Sequence, residues 1–135
     1  NQILKLLRIC SKRTVSKLQY VYRNGTPSDD LYIVLKGQLN IMLRIDEVWT
    51  SVEPLETIGD IEFFIGIPRI ADVIAEEESV LLKISKTEIK RLFESDKDLY
   101  SKIMRNVIWN LARRILNDFE EIEQLHYRIK TFDSI

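Results

Sequence analysis

Arg69 is the only Lys or Arg between Arg44 and Lys83, in a region otherwise dense with Asp and Glu. It stands in the stretch IGDIEFFIGIPRIADVIA, positions 58–75, which opens on a Gly-Asp pair, crosses an apolar patch and reaches Pro68-Arg69-Ile70-Ala71. A guanidinium is always charged and presents its N–H groups as a rigid fork. Held in a turn and flanked by apolar residues, it suits a phosphate or a carboxylate. The competing role is a surface arginine paired with an acidic neighbour, an interaction worth only ~0–1 kcal/mol. Spacing alone leaves both roles open.

Other chemistries have less to work with. A metal-binding jelly roll needs several inward-facing His and carboxylate ligands, and His126 is the only histidine. The single Cys10 rules out an internal disulfide, lacks a nearby His base and reads as a small core residue in a reducing, cytoplasmic setting. No catalytic constellation and no cofactor site emerge, so a non-enzymatic role is expected. Trp49 and Trp109 read as packing residues, and Asp29 and Asp30 as turn formers.

Composition sets the frame for the elements that must position Arg69. The chain has 135 residues, 45% of them hydrophobic and 30% charged, which suits one globular domain with a real core. A formal net charge of −1 gives no electrostatic reason to expect nucleic acid as a partner. No apolar run approaches the ~20 residues of a membrane span, and no signal-peptide pattern opens the chain. The chain begins without Met, which is consistent with an excised domain. Basic residues dominate up to Arg44 and acidic ones from Asp46 to Glu78; folding superposes these segments, so they are expected to neutralise each other.

Ile3, Leu4, Leu6, Leu7 and Cys10 recur at helical spacing, predicting a short amphipathic helix within residues 1–12 that Ser11-Lys12-Arg13 ends. Val15 to Arg23 alternates and reads as strands, and the residues from Asn24 to Asp30 are a dense turn signal before LYIVLKG. In QLNIMLRI, residues 38–45, the apolar face is Leu39, Ile41, Leu43 and Ile45. Asp46-Glu47 then connects it to VWTSVEPL as a hairpin. Two more short strands, Asp72 to Ala75 and Val80 to Ile84, flank an acidic turn. From Ser85 the period becomes helical: Ser85 with Glu88 forms a capping-box pattern, and Ile89, Leu92 and Phe93 give the short helix its buried face. A long helix begins near Leu99 and runs to Tyr127 or beyond, with no Gly or Pro after Pro68 to break it. The fold class is therefore mainly β with flanking helices. An antiparallel β-roll (double-stranded β-helix, or jelly roll) at residues 13–84 precedes C-terminal helices at 85–130.

The order of Gly25, then the run from Ser28 to Gly37 containing D-L-Y-I-V-L-K-G, then Ile58-Gly59-Asp60, then Pro68-Arg69-Ile70-Ala71 resembles the cyclic nucleotide-binding domain. This is the β-roll of catabolite activator proteins, cyclic-AMP-dependent kinase regulatory subunits and cyclic nucleotide-gated channels. The resemblance runs from about Leu18 to Glu121. The family's phosphate-binding cassette reads Phe-Gly-Glu, a spacer, then Arg-(Ser/Thr/Ala)-Ala. Here Ile58, Gly59 and Asp60 stand for its opening, and Arg69, Ile70 and Ala71 for its close. The resemblance implies that Arg69 pairs with the ligand phosphate, that amides near Ile70 and Ala71 add donors, and that Asp60 accepts from the ribose 2′-hydroxyl. Two departures follow. Asp60 is one methylene shorter than Glu, by about 1.5 Å, and Ile70 lacks the hydroxyl of Ser or Thr, which is worth ~0.5–1.5 kcal/mol. The missing hydroxyl favours cyclic AMP over cyclic GMP. Ile70 is also bulkier than Ala and able to crowd the pocket.

Leu111-Ala112-Arg113-Arg114-Ile115 resembles the L-A-R-R-L segment of the long helix in catabolite-activator-type proteins, which pairs with its symmetry mate and closes the pocket. The matching adenine-edge positions are Asp118 and Phe119. Ile108, Leu111, Ile115, Phe119, Ile122, Leu125 and Ile129 step at about 3.5 residues, the coiled-coil period, against the alternative of a helix packed on its own roll. Homodimerisation through this helix is expected. Three roles stand. The first is a sensor of cyclic AMP that relays its signal through the long helix. The second is a non-binding roll used for dimerisation or interaction, its pocket plugged by Ile70. The third is the effector half of a transcription regulator, whose DNA-reading domain would lie outside this chain.

Overall fold

The computed structural model describes residues 2–44 and 46–133, apart from the side chains at positions 3 and 44. Helix α1 (Gln2–Ile9) precedes strands β1 (Ser11–Val15), β2 (Tyr20–Tyr22), β3 (Asp30–Lys36), β4 (Leu39–Arg44), β5 (Glu47–Val52) and β6 (Thr57–Ile58). Helix α2 (Asp60–Ile65), β7 (Asp72–Ala75), β8 (Ser79–Ser85), α3 (Lys86–Ser95) and α4 (Lys97–Asp133) complete the chain. One sheet runs β1-β8-β3-β6 and the other β2-β7-β4-β5, with antiparallel pairing throughout. This is the β-roll expected of the sequence, with a short and a long helix after it. The acidic turn after β7 carries the chain from one sheet to the other, so β7 and β8 are sequential without pairing.

Two cores divide the apolar residues. Val34, Leu39, Ile41, Val52, Ile58 and Val73 fill the space between the sheets. Leu31 and Ile84 join Phe63, Ile89, Leu92, Leu99, Ile103 and Val107 beneath the helices, where Leu6, Ile9 and Cys10 also pack. Alternation in β3 explains the division: Leu31 and Ile33 face the helices, while Tyr32 and Val34 face the roll. Ser85 caps α3 as expected, its hydroxyl accepting the Glu88 N–H at 3.2 Å. No helix among the described residues is long and apolar enough to cross a membrane.

Several local expectations are corrected. Ser11-Lys12-Arg13, read as a break, is strand β1, because Ser11 to Val15 pair with Lys83 to Ser79 of β8. Leu43 is exposed: the β4–β5 ladder shifts register around Met42, which turns the strand's outer end away from the core. Ile45, placed on the same face, lies outside the described residues, as does the side chain of Ile3. Leu4 and Leu7 are exposed, so α1 packs through Leu6 and Ile9. Phe93 is half exposed and meets Tyr100 edge-on at 5.0 Å instead of entering the core. Trp109, read as a packing residue, lies exposed on α4.

Candidate functional site

The segment leading to Arg69 is shaped by two glycines. Gly59 (φ 78°) and Gly66 (φ 81°) hold left-handed conformations on either side of α2, which few L-residues adopt. The Gly66 N–H donates to the Glu62 carbonyl at 2.8 Å, and the Ser28 hydroxyl donates to the carbonyls of Ile67 (2.6 Å) and Glu62 (3.1 Å). Beyond Pro68, the Arg69 N–H donates to the Thr26 carbonyl at 2.9 Å, and its own carbonyl accepts the Gly25 N–H at 2.7 Å. The turn of residues 24–27 therefore fixes the backbone from which Arg69 projects.

Arg69 is 3% exposed, which excludes the surface-pair role. Its Nη1 donates to the Gly59 carbonyl at 2.9 Å and its Nη2 to the Asp30 carbonyl. The guanidinium lies 4.2 Å from the centroid of the Tyr22 ring. Glu62 Oε2 stands 4.0 Å from Nη1, and the Nε–H has no partner. A Cβ at position 59 would collide with Nη1 and lie 3.1 Å from Cζ, so glycine is required by this close approach as well as by its φ. Burial pushes the Tyr22 phenol above its usual range; Glu62 and Asp60 push it the same way, while Arg69 and Arg114 pull it back.

Asp60, 2% exposed, accepts from the Thr57 hydroxyl at 2.7 Å and from the Ile61 N–H at 3.0 Å. Helix α4 closes over it. Arg114 Nη2 donates to the Thr57 carbonyl at 2.7 Å, Nη1 lies 4.0 Å from Asp60 Oδ1, and Asn110 Nδ2 donates to the Thr57 hydroxyl at 3.4 Å. Glu56 adds ion pairs to Arg113 (2.8 Å) and Arg114 (3.6 Å). Thr57 is thus the joint between roll and helix. Thr57→Val keeps the shape but strands the Asp60 oxygen and the Asn110 amide. The expected loss is ~1–3 kcal/mol, read from the urea midpoint at unchanged slope.

Between these groups lies a cavity of about 220 Å³. The roll contributes Tyr22, Ile41, Trp49 and Ile58; the segment around α2 contributes Gly59, Asp60, Glu62, Ile70 and Ala71; α4 contributes Leu111, Arg114, Ile115 and Asp118. A second cleft of about 280 Å³ adjoins it and shares Trp49, Arg114 and Asp118. Either alone falls below the ~300–1,000 Å³ usual for ligand sites, but they meet where Trp49 Nε1 donates to Asp118 Oδ1 at 3.2 Å.

Of the residues expected at the site, Gly59, Asp60, Ile70, Ala71 and Asp118 line the cavity, and Arg69 is buried beside it under Gly59 and Glu62. Phe119 is exposed on α4 and lines neither cleft. Ile70 is 53% exposed at the rim, so it does not plug the pocket as the scaffold role required. Glu62, Arg114, Tyr22, Trp49 and Thr57 carry much of the site and were missed. Glu62 had a signal, an acid between Ile61 and Phe63 in an apolar run, and Arg114 was within the L-A-R-R motif. Tyr22, Trp49 and Thr57 had none, because their roles come from partners distant in sequence. Among the described residues no group of His, Cys, Asp and Glu could hold a metal ion.

Comparison with known proteins gives the same picture. A family model described as the cyclic nucleotide-binding domain matches residues 12–96. Potassium channel KAT1 of Oryza sativa subsp. japonica is 30% identical over 88 residues, 63% of this chain but only 12% of the channel. Two solved structures share the fold. A cyclic nucleotide-binding domain from Methylobacillus flagellatus superposes with a TM-score of 0.82 at 19% identity, covering 91% of this chain and 71% of that one. The c-di-GMP responsive global regulator CLP of Xanthomonas campestris superposes with a TM-score of 0.83 at 22% identity, covering 93% and 64%. The family match spans more than half of the residues, including both glycines around α2 and Arg69 beyond them, and the chain belongs to the cyclic nucleotide-binding domain family.

Proposed function

We propose that this chain is the sensing domain of a cytoplasmic regulatory protein. It takes a cyclic nucleotide, cyclic AMP in preference to cyclic GMP, between the α2 segment and α4, and relays occupancy through α4 to a second copy of itself. The observation that carries this reading is a cavity lined by the buried Arg114, with the buried Arg69 behind its Gly59 and Glu62 wall, each guanidinium having an unpartnered Nε–H among the described residues. Buried donors without partners are rare, and a phosphodiester supplies acceptors of the right charge. Asp118 lines the cavity, and its carboxylate can accept from the adenine amino group. The absence of a hydroxyl on Ile70 favours cyclic AMP over cyclic GMP.

Relay follows from the double use of α4. Leu111, Ile115 and Asp118 line the cavity, and Ile115 also stands in the exposed apolar stripe of this helix. Occupancy that moves Ile115 alters the stripe's register, by no more than the ligand's differential affinity for the two arrangements. Isothermal calorimetry with cyclic AMP and cyclic GMP tests the proposal: heat and thermal protection with cyclic AMP, weaker with cyclic GMP. Neither heat nor a thermal shift at millimolar concentrations of either nucleotide overturns it.

Glu62 favours a second reading, a scaffold that holds its own anion and binds no nucleotide. The Ile70 N–H already donates to its Oε1 at 3.3 Å. The same titration separates the two.

A further inference from the structure

Glu62 is 4% exposed, a burial that a carboxylate seldom accepts without partners. Its carboxylate lies on the two donors an incoming anion would seek. Oε1 accepts the Ile70 N–H at 3.3 Å, and Oε2 faces Arg69 Nη1 at 4.0 Å. The second distance is too long for a hydrogen bond, so Glu62 acts there as a nearby charge, while Nη1 is committed to the Gly59 carbonyl. Glu62 is also among the residues that line the cavity. We propose that Glu62 is an internal anion seated in the anion subsite of the cavity. A ligand phosphate then enters only by displacing this carboxylate, and position 62 sets the affinity threshold for anionic ligands.

This inference rests on the sensing function for its ligand but not for its chemistry. With Glu62 in place, a phosphodiester would meet a carboxylate in a low-dielectric pocket already holding Asp60 and Asp118. Its departure frees the Ile70 N–H and leaves the Arg69 charge without its carboxylate neighbour.

The test compares the wild-type chain with Glu62→Ala and Glu62→Gln, each checked for folding by circular dichroism. Calorimetry uses cyclic AMP, and thermal shift uses inorganic phosphate. The expected result is binding of cyclic AMP at least tenfold tighter in Glu62→Ala, together with phosphate protection that the wild type lacks. Glu62→Gln keeps the shape and loses the charge; it should show the same direction and serves alone if the alanine variant does not fold. Equal or weaker nucleotide binding in folded variants of a wild type that binds overturns the inference and leaves the sensing function standing. Phosphate protection without nucleotide binding in any variant supports the inference and removes the sensing function. Neither effect in any folded variant overturns both.

Discussion

Replacing Arg69 by alanine lowers the stability of the empty domain by ~3–5 kcal/mol, before any ligand is considered. Removing one member of a buried charged pair typically costs that much. Here the loss also leaves the Gly59 and Asp30 carbonyls without their donors and uncovers the Tyr22 ring. These groups belong to three segments: the start of β3, the turn before α2, and β2. Arg69 is therefore a cross-link of the roll as well as a candidate ligand group. Arg69→Lys is expected to recover little, because one ammonium cannot serve two carbonyls in a planar fork and stack on a ring as well. Urea denaturation measures the effect, and a loss below about 1 kcal/mol would mean that the cross-link is not needed. Nucleotide titration of Arg69→Ala is informative only where the variant is shown to be folded, since unfolding alone abolishes binding.

The same dual use explains how much of the molecule was legible in its residues. The β-rich run LYIVLKG, the alternating QLNIMLRI and the helices after Ser85 carry their own signals, and the roll follows from their order. The strand Ser11–Val15 does not: it is polar on its outer positions and becomes a strand only because β8 offers a partner edge. Helix α2 is six residues long, too short for a 3.6-residue period to register, and is defined instead by the glycines at its ends. At the site, the resemblance to the phosphate-binding cassette located Gly59, Asp60, Arg69, Ile70 and Ala71, because they lie within one segment whose order carries that resemblance. The groups that decide the charge balance, Glu62 beside Arg69 and Arg114 beside Asp60, depend on how the segment turns back on itself and on how α4 docks. Those are non-local facts, and no residue pattern within 58–75 contains them.

Wild-type protein is expected to sediment as a dimer, and the double variant Ile122→Asp/Ile129→Asp as a monomer. Helix α4 has 37 residues, about 55 Å at 1.5 Å per residue. Its buried residues end at Arg114, and Asp118 still meets Trp49 of β5, so the helix leaves the roll beyond Asp118. An isolated segment of the remaining length is marginal in water, and its apolar residues are exposed among the described residues. Ile108, Ile115, Ile122 and Ile129 are spaced seven apart and are each 61–66% exposed. A helix packed on its own domain drifts ~20° per heptad from a strict seven-residue repeat, whereas a left-handed supercoil keeps the stripe on its partner. β-Branched residues at one seam position with Leu125 and Phe132 three residues further on favour two strands. Each buried Ile contributes ~1.5–3 kcal/mol, and the double variant removes four per dimer, so dissociation should rise by at least ~10⁴-fold. Neither substituted residue lines the cavity, so a changed nucleotide affinity in the variant would come from loss of the pairing and not from lost ligand contacts. A wild type that sediments as a monomer at high micromolar concentration, or a variant that stays dimeric, removes the seam. A dimer paired on this stripe would share Ile115 between its seam and the cavity wall, and nucleotide affinity and dimer strength are then expected to change each other by the same factor.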